Sequence, residues 1–587
     1  MKDFFSVLAE QPRSETVKVG CLLLILALLG LGVLTPWLGL LGDDWWHFSQ
    51  LEAGNFPEAQ LFENPARPGV AYLWLLFWRL FGLRLWAYYL LNVLLQWSGA
   101  LLVFLILRRV FRLDVGLAAV AAALVLLYPS DTAHVYLSTI TTRTATLLAL
   151  AGAFLWLHVM ARPAVSRILL ALSLFLMLLS LLAYETFLLM FAVLPLGLYF
   201  AQHATERSWV FRWAPIYSIL LGYTAFRLGT VIVVTRSREA YYATLRLEPD
   251  WLWTQLQNAF SATTWKGWLY ALKSMLDWSP IGSLLFLFLA LVLLLSALVW
   301  LGRSGDEFTP DRRHGVALIG IGAVLSLAGT APVMVSNFTL ENAVGTLDGR
   351  LLHGAAIGHG LVIVGLVILI SSAVPSRSLQ AAARNTIFAA LIAVALVGGV
   401  GVQRMYARAW SAQLGIVDAL RTQAPSLQDE TVIAILNVPS GPFDIRFYYP
   451  LTQLVRRYYD NPTLHALPYQ RDFPPDEQTV VFGEQQAYGL VELIRQEIGE
   501  FPYDQMLAFE LSSYDEVTPV SEIGEAYLCD DSCLSIPFLQ AEDWAPAPGP
   551  VPVNDIERFR LDQEPPKTAW RRLLDGAAKF NRRFPLP

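Results

Sequence analysis

The sequence predicts a polytopic α-helical membrane protein that carries a soluble α/β domain at its C-terminal end. Three observations carry that prediction. Long apolar runs recur through the first 403 residues, alternate loops between the runs are basic, and charge divides sharply near residue 404. The chain of 587 residues is 55% hydrophobic and only 15% charged, far from the balance of a soluble domain of that size.

A hydrocarbon core of about 30 Å demands about 17 to 25 apolar residues of a helix that rises about 1.5 Å per residue. Runs of that kind fall near 17–41, 85–107, 113–129, 139–160, 167–184, 186–201, 214–235, 281–301, 315–335, 351–371 and 386–403, about eleven spans. The first has no charge after Lys18, is too long for a signal-peptide core and has no small-residue cleavage pattern, so it is expected to stay in the chain. With a cytoplasmic N-terminus every predicted inside loop is basic: Arg108, Arg109 and Arg112, then Arg162 and Arg167, Arg207 and Arg212, Arg303, Arg312 and Arg313, and Arg377 and Arg384. An odd number of spans then puts the segment after the first span, and everything beyond about residue 404, on the outer side of a cell (plasma) membrane.

Residues 404–587 hold 16 Lys+Arg against 27 Asp+Glu, a net of −11, and residues 1–403 hold 26 against 21, a net of +5. Two domains in two solvents are expected, 1–403 in the membrane and 404–587 outside it. No basic stripe is available to meet phosphates, which argues against nucleic acid as a partner. In the outer domain strands are expected over 431–438, 479–482 and 505–511, and helices over 451–459 and 488–497. The basic end, 567–583, reads as an amphipathic helix on lipid headgroups or as a solvated terminus. Cys529 and Cys533, in Cys-Asp-Asp-Ser-Cys, are candidates for a local disulfide, and Asn337-Phe-Thr matches a glycosylation acceptor.

Ionisable groups at one membrane depth are costly without partners or a wet cavity, so a cluster of them marks a place to look for function. On the topology above one rim gathers Asp43, Asp44, His47, Glu63, Arg67, Asp131, His134, Arg143, Glu185, Arg227, Glu341, Asp348, Arg350 and His353. The densest part is the acidic pair in Leu-Gly-Asp-Asp-Trp-Trp-His-Phe at 41–48. Adjacent carboxylates suit general-base work or a divalent cation. They also suit a helix cap in a hydrated loop, and Trp45-Trp46 suits an interfacial aromatic belt.

Downstream, Arg67-Pro68 leads into an aromatic-rich segment that ends at Phe81-Gly82 and is expected to lie along the membrane surface; Tyr89, Asn92, Gln96 and Arg108-Arg109 follow. Tyr128-Pro-Ser-Asp-Thr-Ala-His-Val135 with Arg143, then Ala183-Tyr-Glu185-Thr, then Gly349-Arg350-Leu-Leu-His353 complete the series. This order, over roughly residues 20 to 410, resembles the GT-C glycosyltransferases. It is most similar to the O-mannosyltransferases with transmembrane helices and tetratricopeptide repeats, and to their bacterial relatives. The chain departs from them at Tyr89 and Gln96, which replace histidines, at Ala133 and Gly349, which replace glutamates, and at Tyr184, which replaces a lysine. No repeat of about 34 residues follows residue 404.

The resemblance implies a GT-C-like fold and an enzyme that moves a sugar, mannose-like in the family's named members, from a polyprenyl-phosphate carrier to an acceptor on the outer face. It implies Asp43 as general base, with Asp44 the close alternative, and Arg350 and Arg143 as ligands of the carrier phosphate. Glu185, Arg67, Asp131, His47 and His134 are supporting candidates. Arg143 and Glu185 could instead pair with each other inside the bundle. A divalent cation is left open, with Asp43, Asp44 and Asp131 as its ligands if one binds. The implied partners are a polyprenyl-phosphate-linked sugar, membrane lipid and an acceptor of unspecified class. The reading from another class is a transporter or flippase of lipid-linked sugars, which would call for repeated halves and charges near the midplane. The sequence shows neither.

Overall fold

The computed structural model describes residues 13–583 except 64, 110, 161–165, 203–208, 238–245, 278–279, 303–311, 337–338, 342, 439–447, 470–479, 493–496, 514–515, 525–526, 529–546, 548 and 560–567. The disulfide expected at Cys529 and Cys533 and the acceptor at Asn337 therefore lie outside the described residues. In chain order the helices are α1 (Arg13–Ala27), α2 (Asp43–Ala53), α3 (Phe56–Glu63), α4 (Pro68–Phe81), α5 (Leu85–Arg109), α6 (Val115–Leu126), α7 (Ile140–Met160), α8 (Arg167–Ala183) and α9 (Leu188–Gln202). They continue with α10 (Trp209–Ser237), α11 (Pro249–Ser261), α12 (Gly267–Leu276), α13 (Pro280–Gly302), α14 (Arg312–Met334), α15 (Ala356–Ser371), α16 (Arg377–Gln423), α17 (Tyr448–Tyr459) and α18 (Ala569–Arg583).

Two compact units divide the chain: Met1–Thr35 with Phe56–Gln403, and Pro36–Asn55 with Arg404–Pro587. Pro36–Asn55, expected within the first domain, belongs with the second unit. Each of the eleven predicted runs contains a helix. Among the described residues seven segments are long and apolar enough to cross a membrane: Ser14–Trp37, Leu85–Arg109, Leu137–Met160, Ile281–Val299, Arg312–Met334, Leu347–Ser371 and Arg377–Gln423. Pro68–Phe81, Val115–Leu126, Arg167–Ala183 and Glu185–Pro195 are shorter apolar helices.

Lipid offers apolar side chains no advantage in packing on each other rather than on lipid tails, so close backbone approach through small residues holds such bundles together. The first unit shows this between α14 and α15. A Cβ added at Gly322 would lie 2.6 Å from Gly358 O, and one at Gly329 2.3 Å from Gly354 O. The second contact pins the 3₁₀ turn Leu347–Ala355, which carries Arg350 and His353. Alanine- and leucine-rich α6, buried on nearly every side, fills the core between α1, α5, α13 and α15.

The second unit is built on a sheet of order β2-β1-β6-β7, with β1 (Val432–Leu436) parallel to β2 (His465–Pro468) and to β6 (Met506–Ser513). Val432 stands in register with both His465 and Met506, and β7 (Glu516–Val520) closes one edge antiparallel. All five residues of β1 are buried, as a central parallel strand requires. The strands expected over 431–438, 479–482 and 505–511 are present, as is the helix over 451–459. The helix expected over 488–497 is not. Its described residues form β4 (Gln486–Glu492) and the start of β5 (Glu497–Pro502), an antiparallel pair that joins β3 (Val480–Phe482). Gly489, which weakens a helix interior by about 1 kcal/mol, here pairs with Val480 and Gly499. The basic end does form an amphipathic helix, but Leu574 and Ala578 of α18 are buried within the unit, where α18 packs on α17.

Candidate functional site

Six rim residues of the first unit form two ionic clusters, Asp131, Arg143 and His353 in one and Arg67, Glu185 and Arg227 in the other. The first begins at the turn after α6. Asn92 of α5 donates through Nδ2 to His134 O (2.8 Å), and the Tyr89 hydroxyl donates to Val135 O (3.2 Å). These bonds hold the 3₁₀ turn Thr132–Val135 against α5, so the tyrosine and asparagine of the span motif act by fixing that turn. Asp131 just before it receives Arg143 Nη2 at 2.7 Å on Oδ1, while Arg143 Nη1 pairs with Oδ2. His353 Nδ1 meets the same Oδ2 at 2.8 Å and also touches Arg143 Nη1.

Arg143 is 1% exposed and Asp131 6%. Burial alone would raise the Asp131 carboxyl, but the Arg143 guanidinium and His353 hold it well below the usual carboxylate range. Burial also pushes the His134 imidazole down, and its Nδ1 lies 3.0 Å from Asp131 O. Its Nε2 meets no partner among the described residues, and His134, Gln96 and Tyr128 line one small cavity.

The second cluster centres on Glu185. Arg67 donates through Nε to Oε2 (2.8 Å) and through Nη2 to Oε1 (2.6 Å), and Arg227 Nη2 reaches Oε1 at 3.4 Å. The Arg67 guanidinium stacks 4.5 Å over the Tyr184 ring. Burial alone would lower the Arg67 pKa, but Glu185 outweighs it and holds it above the ordinary arginine value. Gly69 permits the geometry. A Cβ there would stand 2.9 Å from Ala183 N, so only glycine lets the start of α4 reach the end of α8. Unlike the first cluster, this one is partly open, with side chains of Arg67, Glu185 and Arg227 18–24% exposed.

Arg350 is half-buried on the turn Leu347–Ala355 and, like Arg67, lies within electrostatic reach of Tyr184. The turn is fastened to the first cluster through Thr132. Its Oγ1 accepts from Gly345 N at 2.9 Å, and a Cβ at Gly349 would fall 2.7 Å from the same oxygen. Glycine at 349, where the resembling family has a glutamate, therefore matches a packing demand.

Asp43 and Asp44 stand in the second unit and point different ways. Asp44 is fully buried: its Oδ2 accepts from Leu41 N at 3.2 Å, and its own N donates to Leu41 O at 2.9 Å. Asp43, the first residue of α2, is exposed. His47 bonds back to Asp43 O at 2.7 Å. Trp45 is buried against Trp410 and donates to Gln413 Oε1 at 3.3 Å, and Glu52 pairs with Arg457 at 2.5 Å. The aromatic pair therefore splits, and Trp45 serves the core of this unit rather than a lipid belt.

Three expectations change. Arg143 and Glu185 do not pair with each other; each has its own partner. Arg143, expected at a phosphate, has both Nη atoms turned to Asp131. Asp131, kept as a possible metal ligand, is neutralised by that arginine, and no group of three His, Cys, Asp or Glu placed to hold a metal ion occurs among the described residues. The rim reading included Arg227 and His353 without giving them roles. The signal was available for Arg227, an ionisable side chain within the apolar helix α10.

No family model matches this chain, and no curated protein does. Among solved structures it is similar to ArnT from Cupriavidus metallidurans bound to undecaprenyl phosphate, at 14% identity over 77% of this chain and 86% of that one. The TM-score is 0.34, too loose an overlap to carry fold or function.

Proposed function

We propose that the chain is a GT-C-like membrane glycosyltransferase that takes a sugar from a polyprenyl-phosphate carrier and passes it to an acceptor on the outer face. The observation that supports this best is the Glu185 cluster. Two arginines converge on one carboxylate, a third shares the Tyr184 neighbourhood, and the group is partly open. Glu185 takes two N–H groups of Arg67 and one of Arg227, so positive charge is left over. Guanidinium groups so placed suit the phosphate whose charge grows as a glycosidic bond breaks.

In this reading Arg350 and Arg227 meet the carrier phosphate, and Arg67 is oriented by Glu185 and Tyr184. Arg143 becomes a positioning residue for the turn that bears Asp131 and His134. Asp43 is the base, because its carboxylate is exposed whereas that of Asp44 is buried on Leu41 N. His47 fixes the backbone beside it.

The test is carrier retention and sugar transfer by the full-length protein in nanodiscs. Undecaprenyl phosphate is the binding probe, and a panel of radiolabelled polyprenyl-phosphate sugars serves for turnover. Arg350→Ala and Arg227→Ala should each lower retention of undecaprenyl phosphate by about tenfold or more, the loss of one charge-assisted contact. Asp43→Asn should leave retention intact and reduce transfer by about 10² to 10⁴. Unchanged retention in an Arg227→Ala, Arg350→Ala double variant would remove the phosphate assignment. Full transfer by Asp43→Asn would remove the base.

A further inference from the structure

No predicted span covers 249–276, where α11, a π-turn over Ala262–Lys266 and α12 form one continuous helical stretch. Three stripes run along it. Gln255, Ala259, Ala262, Gly267, Ala271 and Ser274 are buried. Trp253, Leu256, Phe260, Trp265, Leu269 and Leu272 are each more than a third exposed. Thr254, Gln257, Ser261, Lys266 and Lys273 are partly or fully exposed and polar. Neighbouring stripes are offset by one residue, about 100° of helix rotation.

The buried and apolar stripes, and the polar one once Tyr270 is counted between Lys266 and Lys273, advance by three or four residues except at the π-turn. There the steps Phe260 to Trp265, Ser261 to Lys266 and Ala262 to Gly267 are all five. Five residues of plain α-helix would rotate a side chain about 140° off its stripe. The i→i+5 turn takes up the extra residue and keeps all three faces in register.

The buried stripe changes neighbour at almost every turn, and its second half lies on α16, where Gly398 faces Ala271 and Gly401 faces Ser274. Trp251 Nε1 donates to Met334 O, the last residue of α14, at 3.0 Å, and Gln255 Oε1 accepts from Leu340 N at 3.0 Å. Ser130, in the turn after α6, donates to Ala262 O at 2.7 Å, and a Cβ on Gly267 would strike its hydroxyl. Trp268 Nε1 donates to His359 Nε2 in the first turns of α15 at 3.2 Å. A helix that crossed the bilayer would run down one neighbour from end to end and would show lipid all of its exposed surface. This stretch passes instead from the end of α14 to the turn after α6, the first turns of α15 and the middle of α16, and keeps a second exposed face that is polar except at Tyr270.

We propose that 249–276 is an in-plane membrane helix, with its small face on the bundle, its Trp/Phe/Leu stripe sunk into the lipid leaflet on the Asp131 side, and its polar stripe in water. Tryptophan and leucine on one face and lysines on another suit the headgroup boundary. The proposal does not depend on the glycosyltransferase reading.

The test uses full-length protein with Cys21, Cys529 and Cys533 replaced by serine, reconstituted in phosphatidylethanolamine–phosphatidylglycerol vesicles. Single spin labels are introduced at exposed positions by Leu256→Cys, Trp265→Cys, Leu272→Cys, Gln257→Cys and Lys273→Cys. The three apolar sites should favour oxygen over a water-soluble nickel relaxant and report one common depth. The two polar sites should favour the nickel reagent. A spanning helix would instead separate positions 256 and 272 by about 24 Å of depth. That gradient, nickel shielding at 257 and 273, or shielding of the apolar sites from both reagents, as a covering protein would produce, would each overturn the proposal.

Discussion

Removing both members of the Asp131–Arg143 pair should be no more damaging than removing the worse of them alone. Arg143 is 1% exposed and turns both Nη atoms to a carboxylate that is 6% exposed. In Asp131→Asn the guanidinium keeps its charge, loses the opposing one and faces an amide, which should destabilise the first unit by about 3 to 5 kcal/mol. Arg143→Met strands the carboxylate, although His353 2.8 Å away can answer part of its charge, so its effect should fall at or below the lower end of that range. The double variant leaves neither ion behind and should cost no more than the worse single one, a coupling of about 2 to 3 kcal/mol. Equilibrium unfolding of the full chain in mixed micelles measures all four corners of the cycle. Additive effects below about 1 kcal/mol each would refute the reasoning, because the pair would then behave as an exposed one. The double variant should still retain undecaprenyl phosphate. If it folds but releases that lipid, Arg143 is a phosphate ligand after all.

Gly69→Ala should destabilise by about 1 to 3 kcal/mol, since the new Cβ meets backbone of Ala183 rather than a flexible side chain; a neutral result would mean that α4 can shift without consequence for Arg67. Asp44→Asn should cost about 1 to 3 kcal/mol of stability by weakening the buried bond from Leu41 N, whereas Asp43→Asn should leave melting unchanged. His465 is pushed down to about 4 by burial and by Arg456. Between pH 4 and its ordinary value near 6.5 the unfolded chain binds the extra proton, so stability of the second unit should be full above that window and fall as pH drops through it. His465→Gln should flatten that part of the melting-versus-pH profile. Protease added to sealed right-side-out vesicles should remove residues beyond about 404, and full protection of them would reverse the proposed topology.

What was legible in the sequence was whatever one segment decides for itself. Uninterrupted apolar runs announced helices, β-branched apolar runs announced β1 and β3, and the segment 505–511 was a third strand candidate that became β6. Partner choice was not legible, because it is settled between segments. Arg143 had two carboxylates within reach of a sequence argument, Glu185 and Asp131. Only the docking of the 128–135 turn under Tyr89 and Asn92 decides for Asp131. The two adjacent aspartates likewise look alike in sequence. A turn at Gly42 with φ of 48° precedes them, and it is the fold that buries one carboxylate and leaves the next exposed. The expected helix over 488–497 failed because pairing between neighbouring segments decides it: β3 before and β5 after support Gly489 from both sides.

The stretch 249–276 shows a subtler failure. A hydropathy window averages over all faces of a helix, so it registers a span that is apolar all round and misses one that is apolar on a third of its circumference. Amphipathic periodicity should then reveal it, but a regular 3.6-residue template breaks at the π-turn, where every stripe steps by five residues. Split at Ala262, the two halves are a polar-looking helix of 13 residues and an apolar one of 10, neither long enough to suggest one element. The buried stripe provides the missing constraint. Ala262, Gly267 and Ala271 are small because Ser130 and Gly398 lie directly against them, and that contact fixes the direction in which the large residues on the next stripe must point.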